Sequence, residues 1–128
     1  MALGKQIGQF SIKPTSYTIT PGSGSAPTIQ GNFEGSVSGE EGEGTATGTM
    51  TVVYEPNMKS GTWSYCGLTA FNKGGGNVVN SQGTWEETGP NKWRYRGTGQ
   101  QSDGRTYATE FDGDFATRTW AGKIYEWS

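Results

Sequence analysis

From Gln82 to Trp127 large apolar and polar residues alternate with a period of two, interrupted at short turns. Trp93, Tyr95, Gly97 and Gly99 interleave with Lys92, Arg94, Arg96 and Thr98, and Tyr107, Thr109 and Phe111 interleave with Ala108, Glu110 and Asp112. That is the period of a strand with one apolar face. Between the two runs, Ser102-Asp103-Gly104 suits a hairpin loop with a left-handed residue at its end. Folding about Asp103 sets Arg96 opposite Glu110, Arg94 opposite Asp112 and Tyr95 opposite Phe111. Opposite charges on one face and rings on the other pair favourably, and a slip by one residue scrambles both. A loop at Thr88-Gly89-Pro90 sets Trp85 against Trp93 and Glu86 against Lys92. A turn centred between Ala116 and Thr117 sets Tyr107 against Glu126 and Glu110 against Lys123. Ala-Thr is poor turn chemistry, so a longer loop with the same centre is expected there.

The same alternation extends toward the N-terminus. A first strand falls within Ile7 to Thr20, where Pro14 marks an edge, a bulge or a break. Pro21 to Pro27 reads as a loop. The second strand, Thr28 to Gly39, alternates Ile29, Gly31, Phe33, Gly35 and Val37 with polar residues. The third sets Ala46, Gly48, Met50, Val52 and Tyr54 against a row of threonines, and the fourth carries Trp63, Tyr65, Gly67, Thr69 and Phe71 on one side. Asn72 to Asn77 reads as a flexible loop, and no helical period of useful length occurs. Eight strands joined by short turns predict an all-β fold, an eight-stranded antiparallel up-and-down β-barrel forming a single domain over residues 1–128. Glycine recurring inside strands favours closure.

Composition narrows the chemistry. Apolar residues make up only 30% of the chain, yet aromatics reach 12% and glycines number 22, a mixture that suits curved strands and not disorder. The net charge of −2, with no long basic run, argues against a nucleic-acid partner. One cysteine, Cys66, leaves no internal disulfide; with no apolar segment in Met1 to Phe10, this points to a cytoplasmic location. No apolar run approaches the roughly 20 residues of a membrane helix, so no membrane partner is expected. The chain contains no histidine, which excludes Ser-His-Asp and Cys-His catalysis and any histidine-ligated zinc. The Gly74-Gly75-Gly76 run lacks the Lys-Ser/Thr of a phosphate loop, and Glu40, Glu41 and Glu43 lack the alternating ligands of a calcium loop.

GNFEG (Gly31 to Gly35), GTATGT (Gly44 to Thr49), SDGR (Ser102 to Arg105) and the closing WAGKIYEW (Trp120 to Trp127) give a pattern over roughly Gln30 to Trp127. It resembles small bacterial proteins of the allene-oxide-cyclase-like barrel superfamily, which includes plant allene oxide cyclases, dirigent proteins and bacterial polyketide cyclases. The resemblance implies a hydrophobic barrel cavity, a homo-oligomer, and chemistry that uses no metal or organic cofactor. It lies in strand pattern and not in a catalytic motif, so it transfers no functional residue. SGTW and QGTW (Ser60 to Trp63, Gln82 to Trp85) also resemble the Gly-x-Trp of lipocalins and the Gly-Thr-Trp of streptavidin, although here they sit mid-chain.

The aromatic face is the main functional signal. Turned inward, it gathers Tyr54, Trp63, Trp85, Trp93, Phe111 and Trp120 as the expected ligand-binding walls, with Tyr65, Tyr95 and Tyr107 among them. So many ring dipoles, with few Leu, Ile or Val, suit a partly polar cavity, while a filled aromatic core is the alternative. Glu126, opposite Tyr107, and Glu87 share the inward parity; near rings a carboxyl can become an acid or base close to neutrality, and at a barrel rim it is merely solvated. The expected site is therefore Glu126 with Tyr107, Tyr65 and Tyr95 as proton-handling groups, acting on a small hydrophobic or aromatic molecule as a cofactor-independent isomerase, cyclase or lyase. A non-catalytic binding protein and a purely structural barrel are the alternatives. An inverted barrel, its charged face and Asn32, Glu34 and Cys66 lining a polar lumen, is a further one. Tyr125 and Trp127, at the parity opposite Trp120, would leave apolar surface for self-association.

Overall fold

The alternating chain rolls its ring-bearing face inward. The computed structural model describes residues 3–22 and 26–127 as eight strands: β1 (Leu3–Pro21), β2 (Pro27–Gly39), β3 (Gly44–Tyr54), β4 (Ser60–Phe71), β5 (Gly76–Gly89), β6 (Lys92–Gln101), β7 (Thr106–Asp114) and β8 (Thr119–Trp127). Each pairs antiparallel with its sequence neighbour, and β1 closes on β8 through pairs such as Phe10–Gly122 and Ile12–Trp120. The result is a closed up-and-down barrel.

The registers expected around β6, β7 and β8 occur: Arg96–Glu110, Arg94–Asp112, Tyr95–Phe111, Glu110–Lys123 and Tyr107–Glu126. Arg94 Nε donates to Asp112 at 2.9 Å and Arg96 Nε to Glu110 at 2.7 Å, both on the outer surface. The charged face is therefore outside, and the inverted barrel with Asn32, Glu34 and Cys66 in its lumen does not form; all three are exposed. The β7–β8 connection is the longer loop expected, with Arg118 at φ 54° and Asp114 Oδ1 accepting from the Ala116 amide at 2.9 Å.

The β5–β6 register differs from expectation. Trp85 pairs with Tyr95 and Glu86 with Arg94, not with Trp93 and Lys92. Asn91 takes a left-handed φ of 57°, which moves the turn to Pro90-Asn91, and an irregularity between Glu87 and Gly89 absorbs the extra residue. The shift is an even number of residues, so every side chain keeps its face. β1 is one strand and not two: the register slips between Pro14 and Ser16, where a proline without an N–H fits a bulge. Residues 23–25 of the expected Pro21–Pro27 loop lie outside the described residues.

Inside, Ile12, Phe33, Met50, Trp63, Trp85, Tyr95, Phe111 and Trp120 form one buried cluster. Strand length and stagger give the barrel two unlike ends. The β1–β2, β3–β4, β5–β6 and β7–β8 turns surround one end, and the β2–β3, β4–β5 and β6–β7 turns surround the other. The first end is filled with rings and the second is hollow.

Candidate functional site

The hollow end encloses a cavity of about 540 Å³. Its floor is the top of the buried cluster: Ile12, Met50, Trp63 and Phe111. Phe10 leans edge-on against Phe111 with centroids 5.4 Å apart, widening the aromatic floor. The wall carries smaller and more polar inward positions, among them Ala46, Thr69, Val79, Ser81, Gln101 and Thr109. The alternation puts them there: Ser81 and Val79 continue the parity of Trp85, and Gln101 that of Trp93 and Tyr95.

Two tyrosines rise from this wall. Tyr65 lies flat across Gly48 and Gly67, two glycines that pair across β3 and β4; a Cβ at Gly67 would meet the Tyr65 hydroxyl at 2.6 Å. Tyr107 rests on Gly99 in the same way, 2.6 Å from where a Cβ would stand. Burial, and then the neighbouring Tyr107, push the Tyr65 phenol up to about 12. Burial also raises Tyr107, offset in part by the Ser81 side chain beside it. Both phenols therefore stay neutral at physiological pH and present hydroxyl donors.

Gln101 has the most exposed need for a partner. Its side-chain Oε1 is buried and has no hydrogen bond, the only such atom found among the described residues. An unpaired buried acceptor costs about 1–3 kcal/mol, and a ligand N–H or O–H that reached it would remove that cost.

The mouth is a set of ion pairs. Arg105, after the β6–β7 turn, pairs with Asp103 at 2.8 Å and reaches across to Glu41 on the β2–β3 turn. Asn77 Nδ2 donates to Glu41 at 3.4 Å, drawing β5 into the same cluster. From β1, Lys5 stands 3.3 Å from Glu40 and 3.7 Å from Glu126. Glu41 is thus a half-buried strut between two loops.

The structure separates the expected site residues into two groups. Tyr65, Tyr107, Trp63, Phe111 and Glu126 share the cavity. Glu126 sits at the rim with 49% of its side chain exposed. Tyr95, Tyr54, Trp85, Trp93 and Trp120 do not reach the cavity wall; they build the filled end. Tyr95 stacks on Phe111 at 4.7 Å, its hydroxyl accepts from Trp120 Nε1 at 3.4 Å, and burial drives its phenol upward. Trp93 stacks on Trp120, and Tyr54 meets Trp85 edge-on at 4.7 Å. Trp85 Nε1 donates to Val53 O at 3.2 Å, and Trp63 Nε1 to Arg96 O at 3.2 Å. Glu87 lies exposed beside the β5–β6 turn, at the opposite end from Glu126. Sequence reasoning passed over Gln101, Ser81 and Phe10, although carrying each strand's parity a few residues further would have reached them.

No protein-family model, curated protein or solved structure matches this chain. The cavity's own chemistry is what bears on function.

Proposed function

We propose that the barrel binds a small, largely hydrophobic or aromatic molecule in the open-end cavity. The observation that carries this reading is an open-ended space of about 540 Å³, floored by rings and with one unpartnered acceptor buried in its wall. Its volume falls in the range of small-molecule sites, roughly 300–1,000 Å³, and its few polar groups are of the kind that orient a ligand. The neutral fluorescent probe N-phenyl-1-naphthylamine should brighten on entering the cavity. Ala46→Phe, which projects a ring into the lumen from β3, should weaken that binding at least about tenfold while the barrel stays folded. Equal binding by both proteins would overturn the reading.

A second reading, a cofactor-independent isomerase, cyclase or lyase, draws support from Tyr65 and Tyr107. Two neutral phenols facing one cavity can donate to a developing oxyanion, and Glu126 at the rim can exchange a proton with a bound molecule. The resemblance to allene-oxide-cyclase-like barrels supports it as well. On any substrate found, Glu126→Gln should lower turnover about 10²–10⁴-fold with affinity kept, the effect of losing a general acid or base. Turnover at the parent rate would make Glu126 a rim residue only.

A further inference from the structure

We propose that the ligand is an organic cation: a molecule with an apolar ring body and a protonated amine. This rests on the binding reading above and adds the sign of the ligand's charge.

Three observations converge. Below the rim, among the described residues, the cavity carries no formal charge, and its surfaces are rings, aliphatic side chains, hydroxyls and the amides of Asn77 and Gln101. Trp63, Tyr65 and Phe111 line the lumen, and Tyr65, lying flat across Gly48 and Gly67, turns a π face to it; a π face attracts a cation and repels an anion. Gln101 lines the cavity and its Oε1 lies buried in the wall without a partner; turned to the lumen it can be satisfied only by a donor, which an ammonium supplies and a carboxylate does not.

The mouth has the matching sign. Among the described residues around the open end, Glu40, Glu41, Glu43, Asp103 and Glu126 stand with Lys5, Lys73 and Arg105, five side-chain carboxylates against three cations. Among the described residues Arg105 is the one cation that lines the cavity, and it is held from two sides by Glu41 and Asp103. An anionic ligand would have to break that pairing and then sit among the carboxylates it released. A cation meets two uncompensated negative charges on its way in and needs nothing broken.

The test compares three probes of one shape at pH 7 by calorimetry: 2-(1-naphthyl)ethylamine, 2-(1-naphthyl)ethanol and 1-naphthylacetate. The amine should bind at least about tenfold more tightly than the acid, with the alcohol between them. Gln101→Leu should cost the amine about tenfold. Gln101→Glu, which keeps the side chain's shape, should tighten the amine and weaken the acid. Acid binding as tight as amine binding would overturn the proposal and leave the binding reading standing. Alcohol and amine binding equally would do the same, since a neutral donor would then suffice. An amine indifferent to both Gln101 variants would also overturn it. Failure of all three probes to bind the parent protein would overturn the binding reading together with the proposal.

Discussion

The two ends of this barrel are built from the same eight strands and the same inward parity, yet one is solid and the other hollow. At the filled end the inward positions hold Trp85, Trp93, Tyr95, Trp120 and Tyr54, each ring meeting another ring or a backbone carbonyl. At the hollow end the same strands present Ser81, Val79, Thr69, Gln101 and Ala46. The difference is one of side-chain volume along the axis, with no change in backbone architecture. An eight-stranded barrel is just wide enough either to be filled by side chains or to hold one small ligand, and this chain does both in series. The filled end supplies the stability that lets the hollow end forgo packing.

Cutting into each end in turn tests that division. Trp120→Ala, which removes a ring contacting Phe33, Trp93 and the Tyr95 hydroxyl, should destabilise the barrel by about 3–5 kcal/mol in urea unfolding. Val79→Ala, whose side chain already borders empty space, should cost about 1 kcal/mol or less. Similar losses at the two sites would erase the distinction. A smaller effect, at the hollow end, is read by pH. Because burial raises the Tyr65 phenol to about 12, the folded state resists its ionisation while the unfolded state ionises near 10. Its contribution is intact below pH 10 and is lost as pH rises from there toward 12. Tyr65→Phe should flatten that part of the alkaline stability curve, and absorbance of tyrosinate in the folded parent should show a late-titrating group that the variant lacks. An unchanged curve would mean that Tyr65 is as solvated as the rim.

Much of this was legible in the sequence, and the boundary of legibility has a physical cause. Alternation gave the inward face, and the Arg96–Glu110 and Tyr95–Phe111 pairs gave the β6–β7 register, because a misplacement by one residue would have exposed rings and buried charges. The β5–β6 turn was misplaced because Pro90-Asn91 turns through a left-handed asparagine, a weaker signal than the Gly-Pro beside it. The site was half visible for a different reason. Parity tells whether a side chain points inward but not how high along the axis it stands, which depends on how the strands stagger around the barrel. Trp93 and Gln101 share one strand and one face, yet at about 3.4 Å per residue they stand roughly 27 Å apart, one at each end. Tyr95 and Tyr65, equivalent by parity, accordingly part company: one is packing and the other is wall.

The glycines beneath Tyr65 carry a consequence for how such a protein could change. Because Gly48 and Gly67 let the ring lie against the wall, they set the bore of the lumen without facing it. A methyl group at Gly48, where the nearest atoms are all of Tyr65, would lift the ring toward the axis and narrow the space a guest can occupy; at Gly67 it would also press on the Thr47 carbonyl, 2.8 Å away. The molecule's choice of guest is thus adjustable from beneath, one carbon at a time, at residues that never touch the guest and would escape any search confined to ligand contacts.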